Sequence, residues 1–461
     1  MNVLMVCSEF APWAKTGGLA DAVTGLSNAL AGRGHDVRVL LPRYSHMPAA
    51  RPLPARGRYR FAEIETAGRA PRVYLLELDE LTAERIYTGD VLDAGRFLRL
   101  ASAALELPKA LGWQPDIAHC HDWHAALTPV LLRAAAGSHT PRSVLTLHNV
   151  GYQGVFESAA LEPYGFAPLR DVIAADALVG DTVNFLRAGV HAADIVTTVS
   201  PTYAREIRTP AFGMGLEDVL SARGTSLVGI LNGVDYDVWD PHGDPFLDTH
   251  YDATDLAPKR RLKSALAARM GLAVDETVPL VGIVTRLAYQ KGLDLLTAIL
   301  PTLLAETRAA FAVLGSGDAD LADELRRFAG EQPERVAFTD GYDEALAHLI
   351  FAGGDLTLVP SRYEPCGLTQ MYALRYGTIP VVRATGGLAD TITHFDPASG
   401  TGNGSVFRDA DAGGLLWGTR TALGWFDDRG AWSRLVANAM AADFSWRHQV
   451  PHYEELYRSV L

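Results

Sequence analysis

Residues 3–30 read VLMVCSEFAPWAKTGGLADAVTGLSNAL. The stretch opens on an apolar run and ends in a helical pattern, with Leu19, Val23, Leu26 and Leu30 at i, i+4, i+7 and i+11. Between them sit Lys15, Thr16, Gly17 and Gly18. A run that is apolar at every position suits a strand covered on both faces. Strand, loop and helix in that order form the unit of a parallel α/β sheet with right-handed crossovers.

The same unit recurs along the chain. Residues 37–42, 116–120, 143–149, 195–200 and 227–233 carry further strand-like runs in the first half. Residues 279–287, 309–317, 335–340, 356–361 and 379–385 carry them in the second. The stretch NGVDYDVWDPHGDPFLDTHYDATD, residues 232–255, is rich in Asp, Pro, Gly and Tyr and has no periodicity, which reads as an interdomain loop. The expected architecture is α/β, with two doubly wound, Rossmann-like domains facing a central cleft. The first spans 1–240 and the second 241–440, and the helical tail 441–461 crosses back to the first. A chain of 461 residues is too long for one core, in keeping with two domains.

Composition narrows the function classes. The apolar fraction is 48% and the net charge −13, as in a soluble globular protein that does not coat nucleic acid. No apolar run reaches the length of a membrane span. The start MNVLMVCSEF reads as a first strand and lacks the basic region of a signal peptide. Cys7, Cys120 and Cys366 are odd in number and far apart, which fits a reducing cytoplasm.

In doubly wound sheets, ligands bind beyond the carboxyl ends of the strands, so the loops there are where chemistry is expected. Lys15, Gly17 and Gly18 offer a mobile cation, a turn that a ligand can approach closely, and the N-terminus of a helix. A diphosphate or sugar phosphate suits them; a plain turn with a solvated lysine is the competing reading. The loop is neither a Walker A sequence nor GxGxxG. Arg286 and Lys291 follow another strand, where two cations can clamp phosphate oxygens. Glu364 follows a third strand, just before the backbone N–H groups of Gly367, Leu368 and Thr369. It suits sugar hydroxyls or a developing positive charge, or else simply stabilises its own helix. His119, His121 and His124 lack a helical pair such as HExxH, so Asp122 and His124 are read as cleft-lining groups and not as a metal site. His148, at a further strand end, can donate to a sugar hydroxyl or phosphate. Asp235 and Asp237 have Asp-x-Asp spacing, but Asp caps turns readily.

Together these segments resemble the bacterial glycogen synthases and the related starch synthases. KTGGLAD, HDWHA, HNVGYQG, TTVSPTYAREI, GILNGVDYDVWDP, RLAYQKGLDLL, YDEALAHLIFAGGD and PSRYEPCGLTQMYALRYGTIPVVRATGGLADTI stand in family order over nearly the whole chain. The resemblance implies a two-domain glycosyltransferase of the GT-B type. It implies transfer of glucose from ADP-glucose to the non-reducing end of an α-1,4-glucan, with retention at the anomeric carbon and no metal or cofactor. It assigns Lys15, Gly17 and Gly18 to donor binding and Arg286 and Lys291 to the diphosphate. Glu364 becomes the essential carboxylate near the glucose ring, and Asp122 and His148 its polar neighbours. Asp21, Asn232, Cys366, Gly367, Leu368 and Thr369 match further donor positions. Thr385, Gly386 and Gly387 match a second glycine turn, whose TGGLAD echoes residues 16–21.

One segment departs from the family. Between YLLELDEL and GRFLRL the family carries a longer stretch with an aromatic pair beside the donor, and this chain has TAERIYTGDVLDA, in which Tyr87 is the available aromatic. At this level the same chemistry with UDP-glucose as donor or a short maltodextrin as acceptor stays open, and two readings outside it remain. Asp122 and Glu364 could form a hydrolytic carboxylate pair, though the cations would then lack a task. The chain could also bind polysaccharide without turnover, against which stand Lys15, Arg286, Lys291 and Glu364.

Overall fold

The computed structural model describes residues 1–82, 84–137 and 139–461. The chain forms two compact units. Unit 1 comprises Met1–Gly233 and Trp446–Leu461; unit 2 is Val234–Ser445.

Among the described residues, unit 1 holds twelve strands: β1 (Asn2–Val6), β2 (Asp36–Pro42), β3 (Arg51–Pro52), β4 (Arg60–Ile64), β5 (Arg72–Glu77), β6 (Ile117–His121), β7 (Arg142–Leu147), β8 (Val155–Glu157), β9 (Leu178–Val179), β10 (Thr182–Asn184), β11 (Ile195–Thr198) and β12 (Leu227–Gly229). Nine form one sheet in the order β12-β11-β7-β6-β1-β2-β5-β4-β3. β1 lies parallel to both neighbours, with Met5 opposite Val39 on β2 and His119 on β6. The chain order reverses between β1 and β6, the switch point at which such sheets bind ligands. Side-chain alternation along β1 builds two cores. Val3 and Met5 join Leu19, Val23 and Leu26 of the helix Gly18–Gly32. Leu4 and Val6 face Phe97 and Ala101 of the helix Val91–Leu111. Burial on both faces is why these strands lack polar alternation.

The sequence reading omits β4 and β5, which pair antiparallel, and the small antiparallel sheet β8-β10-β9. β4, RFAEI, mixes charged and apolar residues because its sheet edge is only partly covered. Strands of two or three residues are too short to carry a periodicity.

Unit 2 contains β13 (Leu280–Val284), β14 (Ala310–Gly315), β15 (Val336–Asp340), β16 (Leu356–Val359), β17 (Ile379–Arg383) and β18 (Ser405–Phe407). All neighbours are parallel, in the order β15-β14-β13-β16-β17-β18. This is a doubly wound sheet with its switch point between β13 and β16.

The units divide at 233/234 and 445/446 rather than near 240 and 440. The Val234 N–H donates to the Phe444 carbonyl at 2.7 Å, so the segments 234–255 and 440–445 close onto unit 2 together. The Asp- and Pro-rich stretch is packed and not a free linker. Trp239 stacks between His348 and Tyr372 at 3.8 and 4.0 Å, and Asp244 accepts from His348 at 2.7 Å. The Asp237 N–H donates to Asp235 Oδ1 at 3.0 Å, a local turn.

The last helix, Trp446–Val460, packs in unit 1, burying Trp446, Val450, Tyr453 and Tyr457. A Cβ on Gly25 would lie 1.8 Å from the Trp446 indole nitrogen, so only glycine admits that ring. Glu454 accepts from Arg33 at 2.7 and 2.9 Å and meets His35 at 2.9 Å. The Arg33 hydrogen bonds hold its carboxyl down at about 2. No helix among the described residues is long and apolar enough to cross a membrane.

Candidate functional site

In unit 1 the loop after β1 is organised by Glu9, which sequence reasoning passed over. Its buried carboxylate accepts from the Thr16 N–H at 2.8 Å, the Thr16 hydroxyl at 2.7 Å and the Gly17 N–H at 3.3 Å. The Tyr87 hydroxyl donates to the same group at 2.6 Å and sits 2.9 Å from the Ser8 hydroxyl. The available sequence signal is an acid three residues past a buried strand, ahead of a glycine turn. Tyr87 is therefore a brace for this loop: its hydroxyl is engaged and its ring stacks on His124 at 4.9 Å. Gly17 caps the helix Gly18–Gly32 in extended conformation, and a Cβ there would meet nothing within 4 Å. Lys15 is exposed and ion-paired with Asp21 at 2.8 Å, so the two donor-site candidates meet each other.

Asp122 follows β6 directly, at a φ of +55° that few residues other than Gly, Asn and Asp adopt. Its buried carboxylate accepts from the His148 N–H at 2.7 Å and the Asn149 N–H at 3.4 Å. Burial pushes its carboxyl up to about 7, against the two backbone donors. The same burial holds the His148 imidazole at about 3. His148 Nε2 lies 3.1 Å from His121 Nδ1. His119 bonds Thr146 at 2.6 Å and Tyr457 at 2.7 Å, deep in the core. His124 is also buried, packed against Tyr87, Phe97 and Trp123. Asn232 is buried, with no partner for its carbonyl oxygen among the described residues.

In unit 2 the loops after β13, β16 and β17 converge. Lys291 Nζ lies 2.6 Å from Glu364 Oε2, and the Ser361 hydroxyl donates to the same oxygen at 2.7 Å. Glu364 is 5% exposed. Its carboxylate thus faces lysine and serine, not the N-terminus of its own helix, and Ser361 joins the set of functional candidates. Gly292 makes the approach possible: it has a φ of +69°, and a Cβ there would come within 2.3 Å of the Pro360 carbonyl. Arg286 is exposed and makes no ion pair among the described residues. Arg362, beside Ser361, pairs with Asp294 at 2.6 and 2.7 Å and covers the Tyr289 ring at 3.8 Å, pinning the two loops together.

The second glycine turn buttresses Glu364 from behind. The Gly387 N–H donates to the Glu364 carbonyl at 3.0 Å. A Cβ on Gly386 would lie 1.9 Å from that oxygen, and one on Gly387 2.0 Å from the Cys366 carbonyl. Thr385 is buried and extended at the start of the short helix Gly386–Thr391. The helix after Glu364 begins at Thr369, with Leu368 at its cap, rather than at Cys366. Gln370 donates to the Cys366 and Gly367 carbonyls at 3.1 and 2.8 Å and fixes that corner. Among the described residues no cluster of three His, Cys, Asp or Glu side chains is placed to hold a metal ion.

The family profile described as starch synthase catalytic domain matches residues 2–222, and that of glycosyl transferases group 1 matches residues 278–417. A glycogen synthase of Anaeromyxobacter sp. (strain Fw109-5) is 47% identical, covering 100% of this chain and 99% of that relative. The chain belongs to the glycogen and starch synthase family. Another family member, a glycogen synthase of Aromatoleum aromaticum, is 41% identical over 99% of this chain and 96% of its own length. The catalytic domain of Starch Synthase IV from Arabidopsis thaliana, solved with ADP and acarbose, superposes with a TM-score of 0.89 at 37% identity, covering 100% of this chain and 99% of that one. A sucrose-phosphate synthase from Thermosynechococcus elongatus, 19% identical with a TM-score of 0.63, shares the fold. The chain is thus a glycosyltransferase of this family, and the glycoside hydrolase reading falls away.

Proposed function

We propose that the protein transfers glucose from ADP-glucose to the non-reducing end of an α-1,4-glucan, with retention, as a step of glycogen synthesis. The C1–O bond to the diphosphate breaks and ADP keeps its electron pair. A C1–O bond to the acceptor 4-hydroxyl forms as that hydroxyl passes its proton to the departing diphosphate. The observation that carries the reading is the Lys291–Glu364 contact of 2.6 Å, reinforced by Ser361 and backed by Gly386 and Gly387. Positive charge preorganised at a departing phosphate stabilises the transition state without reorganisation. An ammonium carries three donors, so Lys291 can hold Glu364 and still address a phosphate oxygen. Arg286, exposed on the same loop, supplies the second cation. Glu364 faces the glucose ring, where positive character develops.

Asp122 and His148 take sugar hydroxyls, and the backbone at Gly17 and Gly18, with Lys15 and Asp21, contacts the donor. Asn232, Leu368, Thr369 and Thr385 complete the donor contacts. The reaction on this reading uses no cofactor, and its partners are the nucleotide sugar and the glucan. The ADP in the starch synthase structure supports an adenine nucleotide here. Three buried thiols, Cys7, Cys120 and Cys366, support a reducing, cytoplasmic setting.

Incorporation of radiolabelled glucose into glucan, from ADP-glucose and in parallel from UDP-glucose, tests the proposal. Label should enter from ADP-glucose, with ADP release that requires both substrates. Glucan binding without ADP release would leave only a binding protein.

A further inference from the structure

Resting on the reading of His148 as a sugar-site residue, we infer that His121 is a positioning residue that fixes His148 as its Nδ1–H tautomer. His148 then presents an N–H to an oxygen of the sugar nucleotide. The argument begins with a proton count. His121 Nδ1 and His148 Nε2 are 3.1 Å apart, a distance at which one must donate to the other. Desolvation keeps both rings neutral, so each carries a single N–H.

Two arrangements satisfy that count. In one, His148 donates from Nε2, and His121 must carry its own proton on Nε2. That nitrogen is buried and has no partner among the described residues. A buried N–H without an acceptor is among the rarest defects in folded proteins. In the other, His121 donates from Nδ1 and leaves a bare nitrogen at Nε2, the more tolerable vacancy. His148 then accepts at Nε2 and carries its proton on Nδ1.

The surroundings hold His121 in place for this task. Its ring packs against His119 at 4.3 Å between centroids. His119 is itself tied at both nitrogens, to Thr146 at 2.6 Å and to Tyr457 on the last helix at 2.7 Å. Thr146 continues to Thr197 at 2.6 Å. His148 is anchored separately, through its backbone N–H on Asp122 at 2.7 Å. The ring that meets substrate is therefore aimed by its backbone and set in tautomer by its neighbour.

Long-range nitrogen–proton NMR on the full chain with labelled histidine reads the tautomer directly. The His148 signals are identified among 14 histidines by their loss in His148→Ala. The wild type should show His148 protonated at Nδ1; protonation at Nε2 overturns the inference. His121→Phe removes the donor and should turn His148 into a tautomer mixture, with kcat down about tenfold. His121→Asn places an amide N–H near the lost Nδ1 and should restore the Nδ1–H signal and most of the rate. Equal loss in the Phe and Asn variants, or a His148 signal unchanged in His121→Phe, also overturns it. If His148→Ala turns over normally while the tautomer is as stated, the assignment of His148 to the sugar site fails and the positioning stands.

Discussion

Replacing Gly386 by alanine probes whether the glycine turn after β17 sets the position of Glu364. Gly386 has a φ of +44°, and a Cβ there would lie 1.9 Å from the Glu364 carbonyl oxygen, whereas real Cβ atoms stay beyond 3.0 Å. The neighbour in the way is main chain, also held by the Gly387 N–H at 3.0 Å, so it has no rotamer in which to escape. The backbone of Glu364 must shift by about 1 Å, a displacement that can cost ~10²-fold in rate when it misplaces a reacting group. Left-handed strain on alanine adds about 1 kcal/mol. With the steric term the loss reaches about 3 kcal/mol, which lowers the melting of a unit this size by roughly 6–12 °C.

The first TGGLAD supplies the control. Gly17 is extended and a Cβ there would meet nothing within 4 Å, so Gly17→Ala should cost at most about 1 kcal/mol, through a poorer cap. Thermal scans with glucosyl transfer at saturating donor measure both variants. Gly386→Ala should lose melting temperature and kcat together; Gly17→Ala should lose no more than about 4 °C. Wild-type kcat in Gly386→Ala, or equal destabilisation of both, would refute the buttress.

Further perturbations address unit 1. Glu9→Gln keeps an acceptor but turns an amide toward Thr16 and Gly17, so their amide hydrogen exchange should quicken and kcat/KM for the donor fall about tenfold. Unchanged exchange would remove Glu9 as the organiser of the loop. Asp122 has a folded value near 7, above that of the unfolded chain, so its contribution is present at low pH and lost as pH rises toward 7. Asp122→Asn, which tolerates the φ of +55°, should then stabilise unit 1 by about 2 kcal/mol at pH 8 and by little at pH 4 in urea titrations. Equal effects at both pH values would contradict the burial argument. Glu454 has the opposite sign: its value of about 2 means support for the last helix that is full above the ordinary carboxylate range and lost as pH falls toward 2. Protection from hydrogen exchange in Trp446–Val460, taken relative to the intrinsic rate at each pH, should fall over that acid range in the wild type and already be low at neutral pH in Glu454→Gln.

The parallel strands of both sheets were legible where burial on both faces leaves runs such as VLMV and AFAVLG with no polar alternation. β3, β8 and β9 were not, since two or three residues carry no period. The stretch near residue 240 looked like a linker because Asp, Pro and Gly record turns and say nothing of Trp239 packing between two rings. At the candidate site, Glu364 and Lys291 could be named from sequence, but their contact could not: 73 residues separate them, and the parallel neighbours β13 and β16 bring them together. Glu9 escaped notice because half of its partners are backbone N–H groups, which no side-chain pattern reports. Tyr87 is the available aromatic of its segment by sequence, but an aromatic letter does not reveal that its hydroxyl is engaged by Glu9.

The most direct measurement is the turnover number for glucosyl transfer from ADP-glucose in Lys291→Ala, with the folded state checked by circular dichroism. Removing one preorganised donor to the departing diphosphate should lower kcat by ~10²–10³, and Arg286→Ala should follow the same direction. A folded Lys291→Ala enzyme that turns over at the wild-type rate would contradict the assignment of that ammonium, and with it the chemistry proposed for this site.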